Sequence, residues 1–142
     1  MNDQLQQVTH IDNIRLAEDG LSVIILDQTQ LPNRTEYLTL RTPEEMYEAI
    51  LLLRVRGAPA IGICAGYCMY VLARQMDERD YDAFARRFHE LKEYLNSSRP
   101  TAVNLSWALN RMERVVTNHA GEPVEEILKL LEQECKAIHQ ED

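Results

Sequence analysis

One uncharged segment, Gly57–Ala73, constrains the fold of this chain more than any other feature of the sequence. Its side chains are almost all apolar, so a helix built from it has no face that suits water. The segment is shorter than the roughly 20 apolar residues of a membrane-spanning helix, and it contains Pro59, Gly62 and Gly66. We therefore expect a buried helix at the centre of a soluble domain.

The rest of the sequence supplies elements that would pack around such a helix. Its 142 residues are enough for one domain with one core. Residues 1–10 are polar and are expected to form a flexible N-terminus, which leaves residues 11–142 for the domain. Between residues 13 and 40, short β-branched runs alternate with turn residues, and this pattern predicts a small antiparallel β-sheet.

The sequence after Arg41 has the apolar spacing of helices. Thr42, Pro43 and Glu45 form a capping-box pattern with a proline in the first turn, which marks the start of the first helix. Four further helices are expected to begin at Pro59, at Asp80, behind an N-cap Thr101 and after the turn Gly121–Pro123. The predicted fold class is therefore α+β, a small antiparallel β-sheet followed by a five-helix, bundle-like domain.

The last predicted helix has no stop signal. Residues 138–142 contain no Gly or Pro, and their acidic side chains lie where the helix dipole is negative. A frayed terminus explains this pattern, and so does a chain cut inside a helix that leads into another domain. In the second case, part of the apolar stripe of the helix would be exposed. That stripe is formed by Leu128, Leu131, Cys135 and Ile138.

The net charge and the cysteine content argue against several classes of binding partner and site. The formal charge of −8 argues against general nucleic-acid binding, which needs clustered positive charge. No secretory signal is visible at the start of the sequence, and an odd number of cysteines, three, suits a reducing cytoplasm. Cys64 and Cys68 lie one helical turn apart; they are expected to be core thiols rather than metal ligands, because no histidine lies at ligand spacing. We expect no metal site, no nucleic-acid partner and no membrane partner.

The segment directly before the apolar helix is the first candidate binding site. Backbone amides at a helix start, together with the positive end of the helix dipole, attract anions. Arg56 adds a planar guanidinium that suits a phosphate. Gly57 and Ala58 have almost no side chain, so a ligand can approach the backbone closely. The alternative interpretation is an ordinary loop with an exposed arginine.

A second arginine, Arg99, stands in a similar position before a later helix. It lies between Ser98 and Thr101, whose hydroxyls can bind an anion or simply cap the helix. If the two helices pack with their amino ends together, Arg56 and Arg99 converge on one phosphate.

Five segments of the chain resemble signature segments of the S-methyl-5-thioribose-1-phosphate isomerase family, in the same order. They are Leu26–Thr29 (LDQT) with Leu31–Pro32, Arg56–Gly62 (RGAPAIG), Ser98–Leu105 (SRPTAVNL), Trp107–Leu109 with Arg111–Met112, and Ala137–His139 with Glu141–Asp142. The resemblance covers nearly the whole chain after residue 10. Cys68 stands where the family usually has Gly, and the early strand lacks the usual Trp; both departures concern packing rather than phosphate binding.

The resemblance implies an isomerase of methionine salvage that converts a 1-phosphorylated aldose to the ketose without a metal or organic cofactor. It implies that this chain is the amino-terminal domain of a two-domain enzyme. The catalytic cysteine and aspartate of the family belong to the second, α/β domain, so this chain is expected to contain no catalytic residue and to be inactive alone. The implied substrate-binding residues are Arg56, Gly57, Ala58 and Arg99. A cytoplasmic location and a full-length homodimer are also implied.

Relatives with the same architecture leave alternatives open. Ribose-1,5-bisphosphate isomerases and 5-deoxyribose-1-phosphate isomerases are enzymes of the same build. The regulatory subunits of the exchange factor for eukaryotic initiation factor two are non-catalytic interaction proteins, and the retention of both arginines favours the enzymes over them. A helical module that docks on a partner is a third possibility. Binding of a sugar phosphate separates the enzymes from such a module.

Overall fold

The computed structural model describes residues 13–55 and 57–141, so the predicted flexible segment 1–10 and Arg56 lie outside the described residues. Within these ranges the chain forms three strands, five helices and a 3-10 turn at Gln28–Gln30. The elements are β1 (Ile14–Leu16), β2 (Val23–Leu26), β3 (Tyr37–Leu40), α1 (Pro43–Leu51), α2 (Ala58–Gln75), α3 (Tyr81–Asn96), α4 (Val103–Asn118) and α5 (Val124–Glu141). The predicted α+β fold is therefore confirmed.

The three strands form one antiparallel sheet in the order β1-β2-β3. Ile25 of β2 pairs with Ile14 of β1, and Val23 of β2 pairs with Leu40 of β3. These four side chains are buried, and those of β2 alternate with partly exposed ones. One face of the sheet therefore packs on the helices, and β1 and β2 contact α2 directly.

Helix α2 contains most of the uncharged segment and lies at the centre of the domain, as predicted. Every residue from Ala60 to Ala73 is buried, because β1, β2 and the other four helices all contact this helix. Two glycines allow close packing. A Cβ on Gly62 would lie 3.4 Å from the backbone oxygen of Asn104 in α4, and one on Gly66 would lie 3.2 Å from Cδ1 of Ile138 in α5. In the described parts of the chain, no helix is long and apolar enough to cross a membrane.

Side-chain hydrogen bonds connect α2, and the segment ahead of it, to loops beside the sheet. Near the carboxyl end, Nε2 of Gln75 donates to the carbonyl oxygens of Leu21, at 3.2 Å, and Arg41, at 2.9 Å. Ahead of the amino end, Arg54 donates to Asp27, the residue that follows β2. The carboxyl end of α2 and the segment ahead of its amino end are thus each bonded to loop residues beside the sheet.

Two predicted helix starts, the capping box at Thr42 and the start at Asp80, are confirmed. The hydroxyl of Thr42 accepts a hydrogen bond from the amide of Glu45 at 3.1 Å, and the Glu45 carboxylate accepts one from the amide of Thr42, which completes the capping box. Asp80 caps α3 by accepting a hydrogen bond from the amide of Ala83 at 3.0 Å. Local sequence therefore determines where α1 and α3 begin.

Thr101 does not cap α4, contrary to the prediction. The N-cap is Ala102, and no side chain bonds to the first amides of the helix. The chain that leaves α3 first makes a tight turn, closed by the amide of Ala102 and the carbonyl oxygen of Arg99 at 2.9 Å, and this turn takes up Thr101. Ser98 belongs to the end of α3, where its hydroxyl donates to the carbonyl oxygen of Leu95 at 2.6 Å.

The apolar stripe of α5 is covered by the described chain itself. Leu131, Cys135 and Ile138 are buried, and Leu128 is half-buried against the core. Helices α2 and α4 pack along this face. The exposed stripe expected for a cut helix is therefore not found among these residues.

Arg111 of α4 binds acidic side chains near the carboxyl end of α5. Its guanidinium donates to Glu134 and, at 2.8 and 2.7 Å, to both carboxylate oxygens of Glu141. The Arg111 side chain is only 16% exposed, which strengthens these charge-assisted bonds. A cation from the neighbouring helix thus offsets the unfavourable dipole interaction expected for Glu141.

Candidate functional site

The first turns of α2 and α4 lie side by side. Gly62 of α2 packs on Asn104 of α4, and Pro59 and Trp107 line the same cleft of about 220 Å³, which the last turn of α5 closes on one side. The predicted convergence of two arginines requires that these helices pack with their amino ends together. The observed packing meets that condition.

Arg99 lies in the turn between α3 and α4, just ahead of the α4 helix start. Its side chain is half-buried. Within residues 13–55 and 57–141 its guanidinium forms no hydrogen bond or ion pair, so no described carboxylate competes with an anion for it. Because Arg56 lies outside the described residues, the convergence of Arg56 and Arg99 stays a prediction.

Gly57 and Ala58 form an open surface at the start of α2. Gly57 is the N-cap and has a φ of 93°, a conformation that favours glycine. Apart from its two chain neighbours, no described residue has an atom within 4 Å of a Cβ built on Gly57, so backbone conformation rather than lack of space favours glycine here. Both residues are exposed, and no side chain caps the first amides of the helix. A ligand can therefore approach this helix start from solvent.

The connection from α1 to α2 begins with a helix-ending turn. The amide of Leu53 donates to the carbonyl oxygen of Ile50 at 3.2 Å, and the amide of Arg54 donates to that of Ala49 at 2.9 Å, the two bonds of a Schellman motif. Leu53 takes the position where glycine is usual and has a φ of 58°. This conformation costs a non-glycine residue about 1–2 kcal/mol, so other contacts must stabilise it.

A buried ion pair supplies such contacts. Asp27 is 1% exposed and accepts hydrogen bonds from Nη1 of Arg54 at 2.7 Å and from the amide and hydroxyl of Thr29 at 2.9 and 2.6 Å. The amide of Gln28 donates to the carbonyl oxygen of Arg54 at 2.9 Å. Burial raises the pKa of Asp27, but the hydrogen bonds from Thr29 and the charge of Arg54 together outweigh it, and the pKa is lowered. Asp27 is thus a charged anchor for the segment that leads to Arg56.

The sequence interpretation did not identify this anchor, although a signal for it exists. An aspartate directly after a buried strand, with a threonine two residues later, is typical of a turn in which the carboxylate accepts backbone and hydroxyl hydrogen bonds. A buried carboxylate also needs a cation. The sequence does not show which cation, because 27 positions separate Asp27 from Arg54.

The cysteines are core thiols, as predicted for Cys64 and Cys68. These two and Cys135 are buried and free, and the Sγ atoms of Cys64 and Cys68 lie 3.8 Å apart. The hydrogen bond with Cys64 and burial raise the pKa of Cys68, and burial raises the pKa of Cys135 to about 12. Such thiols are poor nucleophiles and poor metal ligands at neutral pH. In the part of the chain that the structure describes, no group of three His, Cys, Asp or Glu residues could hold a metal ion.

Several proteins of known name are similar in sequence. Methylthioribose-1-phosphate isomerase from Symbiobacterium thermophilum is 48% identical over 132 residues, which are 93% of this chain and 37% of that protein. The protein of the same name from Parabacteroides distasonis is 53% identical over 129 residues, 91% of this chain and 38% of that protein. The 5-deoxyribose 1-phosphate isomerase of Clostridium botulinum is 47% identical over 129 residues, 91% of this chain and 37% of that protein. The chain thus spans little more than a third of the length of these relatives.

Two solved structures are similar in fold. The 5-methylthioribose 1-phosphate isomerase from Pyrococcus horikoshii matches with a TM-score of 0.86 and 37% identity, over 92% of this chain and 36% of that chain. Subunit delta of the translation initiation factor eIF-2B from A. fulgidus matches with a TM-score of 0.82 and 33% identity, over 92% of this chain and 37% of that chain. The same fold therefore occurs in an isomerase and in a protein named as a translation factor.

Residues 54–142 match the Initiation factor 2 subunit family. The matched range begins at Arg54, includes helices α2 to α5 and contains both predicted binding segments. It covers more than half of the chain. The chain therefore belongs to the Initiation factor 2 subunit family.

Proposed function

We propose that this chain is the substrate phosphate-binding domain of an aldose–ketose isomerase that converts S-methyl-5-thioribose 1-phosphate to S-methyl-5-thioribulose 1-phosphate. The observation that carries the proposal is the contact between the first turns of α2 and α4, which brings the segments ahead of both helices to one end of the domain. The names of the relatives at 48% and 53% identity support the choice of reaction.

The proposed ligand contact is a phosphate group held by Arg56, Arg99 and the open helix start at Gly57 and Ala58. Each helix start carries roughly half a positive charge, and each hydrogen bond from an arginine to the phosphate contributes about 1.5–3 kcal/mol. The local field at such a site decides anion capture, so the net charge of −8 does not oppose it.

Binding of a phosphate group that does not itself react suits this reaction. Phosphate on the anomeric oxygen blocks simple ring opening, so the enzyme must hold a charged substrate in place while the neighbouring carbons react. Binding energy from the phosphate can provide that positioning. In the proposal, the acid–base groups lie in a second, α/β domain outside these 142 residues, and no metal or organic cofactor takes part. The chain's span of about a third of the relatives' length supports this division.

Methionine salvage, a cytoplasmic location and a full-length homodimer belong to the same proposal. They rest on the resemblance to the isomerases, and the acidic net charge is in keeping with a protein that does not bind nucleic acid. Sedimentation of the intact protein that contains this chain measures the oligomeric state.

A second candidate substrate is 5-deoxyribose 1-phosphate, because the relative of that name is 47% identical. Ribose 1,5-bisphosphate also carries the 1-phosphate, so the proposed site suits all three sugars. The alternative of a different class is a non-catalytic interaction domain, which the structural match to eIF-2B subunit delta supports. The presence of both Arg56 and Arg99 favours the enzyme, and within residues 13–55 and 57–141 no carboxylate neutralises the Arg99 guanidinium.

Ligand titration of this chain tests the proposal. Trp107 is the single tryptophan, is 46% exposed and lines the cleft between the helix starts, so its fluorescence reports a ligand bound there. We expect a saturable change with S-methyl-5-thioribose 1-phosphate, competition by inorganic phosphate, and loss of the change in Arg99→Ala. Absence of binding by all three sugar phosphates, to this chain and to the intact protein, contradicts the proposal. Turnover by the chain alone would place the catalytic groups inside it, against the proposed division.

A further inference from the structure

The segment between α1 and α2 needs a fixed conformation if it presents a phosphate site. A displacement of about 1 Å in a binding group can reduce turnover by roughly a hundred-fold. The segment begins at Leu53 and ends at Gly57, and both residues have a positive φ. The connection is not part of either helix, so its conformation depends on hydrogen bonds to other parts of the chain.

Arg54 receives those contacts. Its amide donates to the carbonyl oxygen of Ala49, its carbonyl oxygen accepts from the amide of Gln28, and its guanidinium donates to Asp27. Main chain and side chain of one residue are thus fixed at three points, by α1 and by the turn after β2. Arg54 lies two positions before Arg56 and three before the N-cap Gly57.

We propose that Asp27 and Arg54 are positioning residues for the phosphate site. Asp27 holds Arg54, and Arg54 holds the described residues 53–55, which lead toward the open helix start of α2 at Gly57. This inference rests on the proposed function and names two residues outside the predicted ligand contacts.

Burial and charge separate this role from a direct contact with ligand. The carboxylate of Asp27 is 1% exposed, and three donors satisfy it, so it is not free to meet a substrate. The Nη1 group of Arg54 is committed to Asp27 and to the hydroxyl of Thr29. Its Nε is buried without a hydrogen bond and forms a longer ion pair of 3.8 Å with Oε1 of Glu48. The Arg54 side chain is 25% exposed, and its hydrogen bonds within the described residues go to Asp27 and Thr29.

The energetics also favour a geometric role over a purely stabilising one. Desolvation of the buried Asp27 offsets much of the Coulomb attraction in this pair, and in some proteins such pairs serve to select one conformation. Here the selected conformation includes the left-handed Leu53, which an unrestrained chain avoids. The ion pair and the strained residue are adjacent in sequence, which is the arrangement expected if the first maintains the second.

The experiment compares four variants of the intact protein that contains this chain. Asp27→Asn keeps the shape of the side chain and removes its charge. Arg54→Met removes the cation, whereas Arg54→Lys keeps a cation but loses the planar fork. Tyr81→Phe is the stability control, because it removes the hydrogen bond to the Val116 carbonyl near the carboxyl end of α4, remote from both helix starts.

The measurements are the unfolding free energy, KM and kcat for S-methyl-5-thioribose 1-phosphate, and the inhibition constant of inorganic phosphate. Asp27→Asn and Arg54→Met are expected to raise KM and the phosphate inhibition constant by about ten-fold or more. Arg54→Lys is expected to retain more affinity than Arg54→Met. Tyr81→Phe is expected to lose stability and to keep both constants. If Asp27→Asn does not fold, the positioning role is tested by comparing KM and the phosphate inhibition constant between Arg54→Lys and Arg54→Met.

The outcomes distinguish this inference from the proposed function. An active wild type whose Asp27 and Arg54 variants lose only stability, as Tyr81→Phe does, overturns the positioning role and leaves the function intact. A wild type that neither binds nor converts any sugar 1-phosphate overturns the proposed function, and the positioning role with it.

Discussion

Asp27 and Arg54 form an ion pair of 2.7 Å although 27 positions separate them, and the acid of the pair is almost fully buried. The pKa of Asp27 is lowered despite its burial, because the hydrogen bonds of Thr29 and the charge of Arg54 favour the carboxylate. The unfolded chain therefore binds this proton more tightly than the folded chain. The pair contributes stability above the ordinary pKa of 3.8 and loses it as the pH falls through the lower folded value.

We accordingly expect the unfolding free energy to decrease as the pH is lowered from about 5 to about 2. Glu45 also contributes to the loss of stability in acid, because hydrogen bonds from the amides of Arg41 and Thr42 lower its pKa. Asp27→Asn should be less stable near neutral pH and should show a smaller loss in acid. Urea denaturation at a series of pH values measures both effects. Equal acid losses in the wild type and Asp27→Asn would show that this carboxylate does not titrate with unfolding.

Leu53 offers a test of backbone strain at the entrance to the candidate site. Leu53→Gly and Leu53→Ala both remove the side chain, but only glycine accepts a φ of 58° without strain. We expect the Gly variant to be more stable than the Ala variant by roughly 0.5–1 kcal/mol, the reverse of the order found within helices. Ala58→Gly, in the first turn of α2, is the matched control and should destabilise. The prediction is wrong if alanine is the more stable residue at position 53.

Arg99 is predicted to bind the phosphate without taking part in the chemistry. In the intact enzyme, Arg99→Ala should raise KM by about 10- to 100-fold with a small effect on kcat, the equivalent of losing about 1.5–3 kcal/mol of binding. Arg99→Lys should recover part of this loss, because charge is kept and the bidentate fork is not. Arg56→Ala should also lower kcat if that side chain positions the sugar. Steady-state kinetics separate these cases, and an unchanged KM in Arg99→Ala would exclude the predicted contact.

Arg111 is predicted to stabilise the carboxyl end of α5 against α4. Arg111→Gln removes charged hydrogen bonds to Glu134 and Glu141 and should lower the unfolding free energy by about 1–3 kcal/mol. Lys136→Gln is the control, because it removes an exposed pair with Glu132 within α5, worth no more than about 0.5 kcal/mol. Chemical denaturation of both variants tests the difference, and similar losses would count against a special role for Arg111.

The sequence predicted those features that depend on local pattern. The antiparallel sheet, the buried helix α2, the cap Thr42 and the helix start at Asp80 all follow from side-chain spacing and from hydrogen bonds between near neighbours. The error at Thr101 comes from a local turn that the cap pattern does not reveal. A threonine before a helix can serve as a cap, but here the turn closed by Arg99 and Ala102 places it outside the helix.

The anchoring of the candidate site could not be predicted from local pattern. Asp27 and Arg54 are each ordinary in their surroundings, and only the packing of β2 beside the α1–α2 connection makes them partners. The contact that stabilises Glu141 could not be predicted either. An acid at the carboxyl end of a helix is unfavourable by itself, and the compensating Arg111 comes from another helix. Long-range pairs of this kind carry no periodic signal, because chain topology determines which residues meet.

The hydrogen bonds of Gln75 and Arg54 to loops beside the sheet have a consequence for how the domain opens. Gln75 lies at the carboxyl end of α2 and Arg54 lies four residues ahead of its amino end, and we expect elements coupled in this way to exchange their amide hydrogens together. Helix α2 is roughly 27 Å long at a rise of 1.5 Å per residue. A phosphate that stabilises its amino end should therefore slow hydrogen exchange in the turn near Leu21, at the far end of the domain, where the ligand touches nothing.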